Sequence, residues 1–167
     1  MGGKMKLETK RLKLRKFLLS DVESAYNYLS DKKTMLYIEE PYNFEQTQEF
    51  VKECCIDDEP YVYALIEKLS DKLIGHMIFH EYEYSEIFEI GFIIKSDYWG
   101  NGYSYEMAKA LIKYGFSELD LHKIVAHTIR PNTASIHILK RLGFAEEGRL
   151  RLQNFDNGEW VDEYCFG

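Results

Sequence analysis

The 167-residue chain is poor in cysteine, proline and positive charge, and it contains no long apolar run. Its three cysteines are Cys54, Cys55 and Cys165. An odd number with two adjacent members excludes a readable disulfide framework and a Cys-x-x-Cys metal site, and it reads as reduced thiols in a cytoplasmic protein. Three prolines and no Ser/Gly-rich stretch leave no linker, so residues 1–167 are expected to form a single domain. The 21 basic residues are outnumbered by 28 acidic ones, for a net charge of −7. Such a chain lacks the charge that phosphate neutralisation requires, which excludes a general nucleic-acid partner and suits a cationic one, such as an amine. The greasiest stretch, Ile87 to Ile94, is broken by Glu89 and Gly91. It is far shorter than the roughly 20 residues of a membrane span, so no membrane partner is expected. Met1-Gly2-Gly3-Lys4-Met5 is neither a signal peptide nor a myristoylation signal, and residues 1–5 read as a leader or tag scar.

What is present suffices for a core. Hydrophobic residues make up 46% of the chain, and the aromatic share of 15% includes 13 Tyr and 10 Phe. Leu12 and Leu14 alternate with Arg11, Lys13 and Arg15, which predicts a half-exposed strand within residues 7–17. Ser20-Asp21-Val22-Glu23 reads as a capping box opening a helix with Val22, Ala25, Tyr26 and Leu29 on one face. Asn43-Phe44-Glu45-Gln46 reads as a second helix start, with Thr47, Phe50, Val51 and Cys54 inward. From Tyr61 the period changes to two. Residues 61–67, 73–81 and 87–94 then form a three-strand meander.

A helix with Met107, Ala108, Leu111, Ile112 and Tyr114 inward follows, then a strand over 123–128. A helix from Thr133 to Leu142 stops at Gly143. A hairpin around Asp156-Asn157-Gly158 closes the chain. The order β-α-α-β-β-β-α-β-α-β-β predicts a mixed α/β fold.

Charge is segregated along the chain. Residues 121–151 carry six basic and two acidic side chains, a local +4, and residues 39–59 carry eight acids and one lysine, a local −7. One region is suited to an anion and the other to a cation. Between the meander and the long helix lies Trp99-Gly100-Asn101-Gly102-Tyr103-Ser104. Two glycines ahead of a helix start let the backbone approach an anion, at which the helix's unpaired N–H groups then point. The segment lacks the Gly-Lys-Ser/Thr of a P-loop and the third glycine of a dinucleotide fingerprint.

Further motifs give this loop its context. They are Glu8-Thr9-x-Arg11-Leu12-x-Leu14-Arg15, Glu89-Ile90-Gly91-Phe92, the glycine loop through Glu106, Asn132-x-x-Ser135, Lys140-x-Leu142-Gly143-Phe144, Glu147-Gly148 and Asn157-Gly158. In this order and over nearly the whole chain, the sequence resembles the GNAT superfamily of acetyl-CoA-dependent N-acetyltransferases. Within it, the resemblance is to the branch of the RimJ/RimL ribosomal-protein N-terminal acetyltransferases.

The resemblance implies a mostly antiparallel sheet of about seven strands, flanked by about four helices, with a splay between the third meander strand and the next. It implies that the backbone of Phe92, Ile93 and Ile94 pairs with the pantetheine arm of acetyl-CoA. Loop N–H groups from Trp99, Gly100, Asn101, Gly102, Tyr103 and Ser104 would hold the pyrophosphate. Asn132 would bind the arm, and Arg130, Lys140 or Arg141 would meet the ribose phosphate.

The implied reaction is direct attack of a neutral amine on a thioester in a ternary complex, so the ammonium must first lose a proton. An α-amine, with a pKa of about 7.7–8, sheds it more readily than a lysine amine near 10.4. Glu89 is the expected base, acting directly or through water. Ser135 is the expected acid at the CoA sulfur, because Leu139 stands where many superfamily members carry a tyrosine. The five histidines lack ligand spacing and no metal is expected. The acceptor would sit near Glu39, Glu40, Tyr82 and Tyr84, and the aromatic C-terminal hairpin offers a surface for a homodimer. The acceptor is a protein N-terminus on this reading. The alternatives are a polyamine, an aminoglycoside or another small amine, and, in a different class, a non-catalytic acyl-CoA sensor.

Overall fold

In a computed structural model that describes residues 5–56 and 60–167, eight strands form one sheet in the order β1-β2-β3-β4-β5-β6-β8-β7. Of the stretches singled out above, Met1–Lys4 and the acidic Asp57, Asp58 and Glu59 lie outside the described residues. The strands are β1 (Leu7–Glu8), β2 (Leu12–Arg15), β3 (Val62–Glu67), β4 (Lys72–Tyr82), β5 (Tyr84–Ile94), β6 (Lys123–Ile129), β7 (Glu146–Asp156) and β8 (Glu159–Phe166). The helices are α1 (Val22–Leu29), α2 (Phe44–Phe50), α3 (Tyr103–Glu118) and α4 (Thr133–Leu142). Every neighbouring pair is antiparallel except β5–β6.

The eighth strand arises because residues 7–17 do not run straight. A turn over Thr9–Arg11, tied by Thr9 N–H to Leu12 C=O at 2.9 Å, folds Leu7 back onto Leu14. Met5 is buried in the core beside Leu12 and Leu14.

Each sheet face carries its own core. One face packs Leu65, Met77, Phe79, Ile90 and Ile94 against Met107 and Leu111 of α3 and Leu139 of α4. The other packs Ala64, Ile66 and Ile93 against Ala25, Tyr28 and Leu29 of α1 and Val51 and Cys55 after α2. Two helix predictions on this second face need correction. The Ser20 capping box does not form: a 3-10 turn over Leu19–Asp21 precedes α1, and the Asp21 carboxylate instead accepts from Leu18 N–H at 2.7 Å and pairs with Arg15. The inward face after α2 is Cys55, with Cys54 only half-buried, because the helix ends in a π turn over Val51–Cys55 that shifts the face by one residue. The Asn43 cap does form, reciprocally with Gln46.

Gly75 shows how tightly β4 lies on β5. A Cβ at Gly75 would stand 2.1 Å from the Ile93 carbonyl oxygen, so only glycine fits where β4 crosses the end of β5. That end of β5 faces the open part of the sheet.

Candidate active site

The parallel β5–β6 ladder is short. It pairs Ile87 with Lys123, Phe88 with Ile124 and Glu89 with Val125, and among the described residues it goes no further. Beyond it, β6 turns away and pairs with β8 from Ala126 to Ile129. The edge of β5 over Gly91–Ile94 that faces β6 therefore offers main-chain groups to an extended ligand, as a free sheet edge does to a peptide. This is the splay expected at Phe92, Ile93 and Ile94. One of its groups is already engaged, since Trp99 Nε1–H donates to the Ile94 carbonyl at 2.7 Å and ties the glycine loop to the strand end.

The loop follows a 3-10 turn over Ser96–Tyr98. Gly100 and Gly102 take φ of +78° and +75°, the left-handed region. Asn101 turns its amide inward, donating to the Tyr98 carbonyl at 3.0 Å. Gly102 is the N-cap of α3 and offers no side chain to the first-turn N–H groups of Tyr103 and Ser104. A 16-residue helix thus points uncapped amides and the positive end of its dipole past an exposed loop. The Tyr103 side chain points elsewhere: its hydroxyl bonds Glu67, and the Arg11 guanidinium lies 4.6 Å over its ring. Arg11 in turn pairs with Glu106 at 2.7 Å, which locks β2 to the first turn of α3.

A second helix start stands across the splay. Asn132 caps α4 through its side-chain oxygen, accepting from Ser135 N–H at 3.1 Å. That bond uses the amide oxygen of Asn132 and the backbone of Ser135, so the amide NH₂ of Asn132 and the hydroxyl of Ser135 are not consumed by the cap. Leu139 is buried and apolar, which leaves its position without an acid. Arg141 lies 4.2 Å over the ring of Tyr105, bringing its charge to the first turn of α3, and Lys140 is exposed.

Glu89 stands where β5 and β6 part, on the face opposite α3. Its Oε1 lies 3.1 Å from His127 Nδ1, and its Oε2 lies 3.6 Å from His80 Nε2. The His127 hydrogen bond holds the Glu89 carboxyl below the ordinary range, against the opposing effect of burial, and the same bond raises the His127 imidazole. With 27% of its side-chain surface exposed, Glu89 can still be reached. The two histidines had no marker in the sequence. His80 lies directly across the β4–β5 ladder from Glu89, and His127 is two residues beyond its β6 partner.

The residues expected on the acceptor side lie in two regions, the β4–β5 turn and the segment between α1 and α2. Tyr82 and Tyr84 do not lie between strands but end β4 and begin β5, paired about a one-residue turn at Glu83. Tyr82 packs its ring 5.3 Å from that of His127, which keeps it beside Glu89, whereas Tyr84 is 66% exposed at the hairpin tip. Glu39 and Glu40 are exposed on the segment between α1 and α2, where Glu39 accepts from the Tyr42 hydroxyl at 2.7 Å.

A family profile described as an acetyltransferase (GNAT) domain matches residues 11–145. The chain belongs to the GNAT family. It is 34% identical over 163 residues to the uncharacterised N-acetyltransferase YnaD of Bacillus subtilis, covering 97% of this chain and 95% of that one. It is 31% identical to a spermidine N(1)-acetyltransferase of Vibrio cholerae over 91% of this chain and 89% of that one. A crystal structure of a GNAT acetyltransferase from Bacillus anthracis superposes with a TM-score of 0.89 at 34% identity, covering 97% and 96% of the two chains. A V. cholerae spermidine N-acetyltransferase solved with CoA and spermine gives 0.81 at 27%, covering 95% of each. RimL, a ribosomal L7/L12 acetyltransferase, gives 0.83 at 18% identity over 97% and 96%, a likeness of fold alone.

This GNAT domain is an N-acetyltransferase and acetyl-CoA is its acetyl donor. The unpaired β5 edge and the uncapped start of α3 suit a pantetheine arm and a pyrophosphate, so the residues present fit that co-substrate. No described helix is long and apolar enough to cross a membrane.

The loop carries the first prediction. In Gly102→Val the new Cβ would meet nothing closer than Arg11 at 3.9 Å, so the core is untouched. A β-branched residue at φ +75° is nevertheless strained by about 1–3 kcal/mol, which the loop relieves by turning its amides away. Calorimetry is expected to show acetyl-CoA affinity falling at least about tenfold, because 1.4 kcal/mol is a factor of ten, with the melting temperature little changed.

Proposed function

We propose that this N-acetyltransferase acts in the cytoplasm on the primary amine of a small polycation, by direct attack on acetyl-CoA in a ternary complex. The observation that carries the reading is Glu89, a reachable carboxylate at the parting of β5 and β6, with His127 and His80 against its two oxygens. An ammonium approaching the splay from this face meets that carboxylate. Its proton passes to Glu89, and His127 positions the carboxylate and shares the charge. The nitrogen lone pair then attacks the thioester carbonyl, the C–S bond breaks, and the second proton of the amine passes through the Ser135 hydroxyl to the departing CoA thiolate, which leaves the amide and the CoA thiol, while Glu89 returns the first proton to solvent. The Phe92–Ile94 edge holds the pantetheine arm, with Asn132 donating to it. The amides from Gly100 to Ser104 receive the pyrophosphate, and Lys140 and Arg141 meet the ribose phosphate.

The choice of acceptor is supported by the net charge of −7, by exposed Glu39 and Glu40, and by the relatedness to a spermidine acetyltransferase. The N-terminal amine expected from the RimJ/RimL resemblance has only the fold likeness beside it. The sensor alternative has no support from relatives named as N-acetyltransferases. Two copies of the chain would meet on the β7–β8 hairpin, where Leu152, Phe155 and Trp160 are exposed.

The test is acetyl transfer to spermidine, an aminoglycoside and an N-terminal ribosomal-protein peptide. Spermidine is expected to react with the highest kcat/KM. Reversal of Glu39 and Glu40 to Lys is expected to raise the spermidine KM about three- to tenfold while leaving the acetyl-CoA KM unchanged. A few tenths to 1 kcal/mol per exposed ion pair sets that size. Equal shifts in both KM values would remove the role of these acids, and preference for the peptide would overturn the polycation reading.

A further inference from the structure

Behind Glu89, on the same sheet face, a second cluster shares His127 with the acetyl-transfer site and adds two residues which that site does not use. β6 and β8 pair His127 opposite Cys165 and Ile129 opposite Glu163. Residues two apart on a strand share a face, so Glu163 and Cys165 point the same way as His127. A ring nitrogen of His127, a carboxylate oxygen of Glu163 and the Sγ of Cys165 all lie within 4.8 Å of one another, and all three residues are half-buried. We propose that these three side chains form a binding site for a divalent transition cation of the zinc class, and that its occupation shuts the acceptor side of the enzyme.

The donor set selects the class. One thiolate, one imidazole and one carboxylate suit zinc, and the sulfur and nitrogen donors disfavour magnesium and calcium. Bonds of about 2.0–2.3 Å in a tetrahedron hold ligand atoms about 3.5 Å apart. The cluster reaches that spacing by contraction of about 1 Å, within reach of the flexible Glu163 side chain.

The surroundings already have the form of an outer shell. Glu89 Oε1 faces His127 Nδ1 at 3.1 Å, which orients the ring and leaves Nε2 as the lone-pair nitrogen. Asn154 donates its amide to Glu163 Oε2 at 2.6 Å, steadying the second ligand and leaving its other oxygen. Three protein ligands leave a fourth position for water, the arrangement of open rather than structural zinc sites. Cys165 loses its S–H proton to solvent on binding, so two ligand anions and the nearby Glu89 carboxylate face one dication. The ion would draw the imidazole away from Glu89 and set positive charge where the ammonium must pass. This inhibitory consequence rests on the proposed role of Glu89. The binding itself does not.

The experiment is a titration of the whole chain with Co²⁺, a spectroscopic substitute for zinc, followed by displacement with Zn²⁺. One ion per chain and a thiolate-to-cobalt charge-transfer band are expected. Cys165→Ser should abolish the band, Glu163→Gln should weaken Zn²⁺ binding at least about tenfold, the scale seen for lost metal-site partners, and Cys54→Ser should change neither. Absence of the band from the native chain, or its persistence in Cys165→Ser, would overturn the site. In a parallel assay Zn²⁺ should stop acetyl transfer by the native chain, spare the Cys165→Ser variant, and leave acetyl-CoA binding unchanged in both. Binding without inhibition would keep the metal site and overturn the proposed closure at Glu89.

Discussion

Glu89→Gln is expected to lower kcat for spermidine acetylation about 10²-fold or more while leaving the acetyl-CoA KM unchanged. Positioned proton transfer contributes about 10²–10⁴-fold, and a neutral amide can neither take the proton nor attract the ammonium. The substitution keeps the shape of the side chain, so the β5–β6 ladder at Glu89 and Val125 should persist. Its amide can still bond His127 across the present 3.1 Å. Loss of activity would then report on chemistry and not on unfolding, which an unchanged melting temperature would check. Glu89→Asp, which keeps the charge but withdraws it by one methylene, should fall between the two. A structural ion pair would behave differently: Gln and Asp would both cost stability, and kcat would fall less than tenfold. That pattern would move the base elsewhere, to ordered water.

The features legible in the sequence were those encoded within a few residues. Gly100 and Gly102 announce the loop because its left-handed backbone demands them. Asn132 and Gly143 bracket α4 as its cap and its stop, and Asn157-Gly158 closes the last hairpin at φ of +47° and +87°. The splay became legible only through family resemblance, since no local pattern says where β6 leaves β5. What escaped was set by register or by competition. His80 reaches Glu89 through pairing about Glu83, and His127 reaches it from another strand, so neither spacing means anything along the chain. Ser20 lost the helix start because the Asp21 carboxylate found both Arg15 and the Leu18 N–H. Cys54 gave its buried place to Cys55 because a π turn adds a residue to the helix without changing its composition.

The largest expected effect on stability comes from His76, which the function does not use. It lies on β4 with 2% of its surface exposed, its Nδ1 2.7 Å from the Tyr28 hydroxyl and its ring 5.5 Å from that of Phe50. The neutral ring shares this hydrogen bond with the Tyr28 hydroxyl, and burial pushes the imidazole down to about 3 from its ordinary 6.5. Between those values the unfolded chain binds a proton that the folded chain refuses, so stability rises with pH through this window and is lost as pH falls. At pH 4 this group alone is expected to cost roughly 3 kcal/mol relative to pH 7.5, from 1.36 kcal/mol per pH unit over the span below 6.5. His127 works in the opposite sense, because its raised pKa adds stability below 6.5 and loses it as pH rises. The comparison must therefore be made against a variant that keeps His127. His76→Gln keeps a hydrogen-bonding partner for Tyr28 and removes the titration. Urea unfolding from pH 7.5 to 4 should show the native chain losing stability more steeply than the variant, with the two curves converging or crossing toward the acid end. Parallel curves would mean that His76 takes its proton inside the fold, and that the packing of α1 and α2 over β4 yields to it.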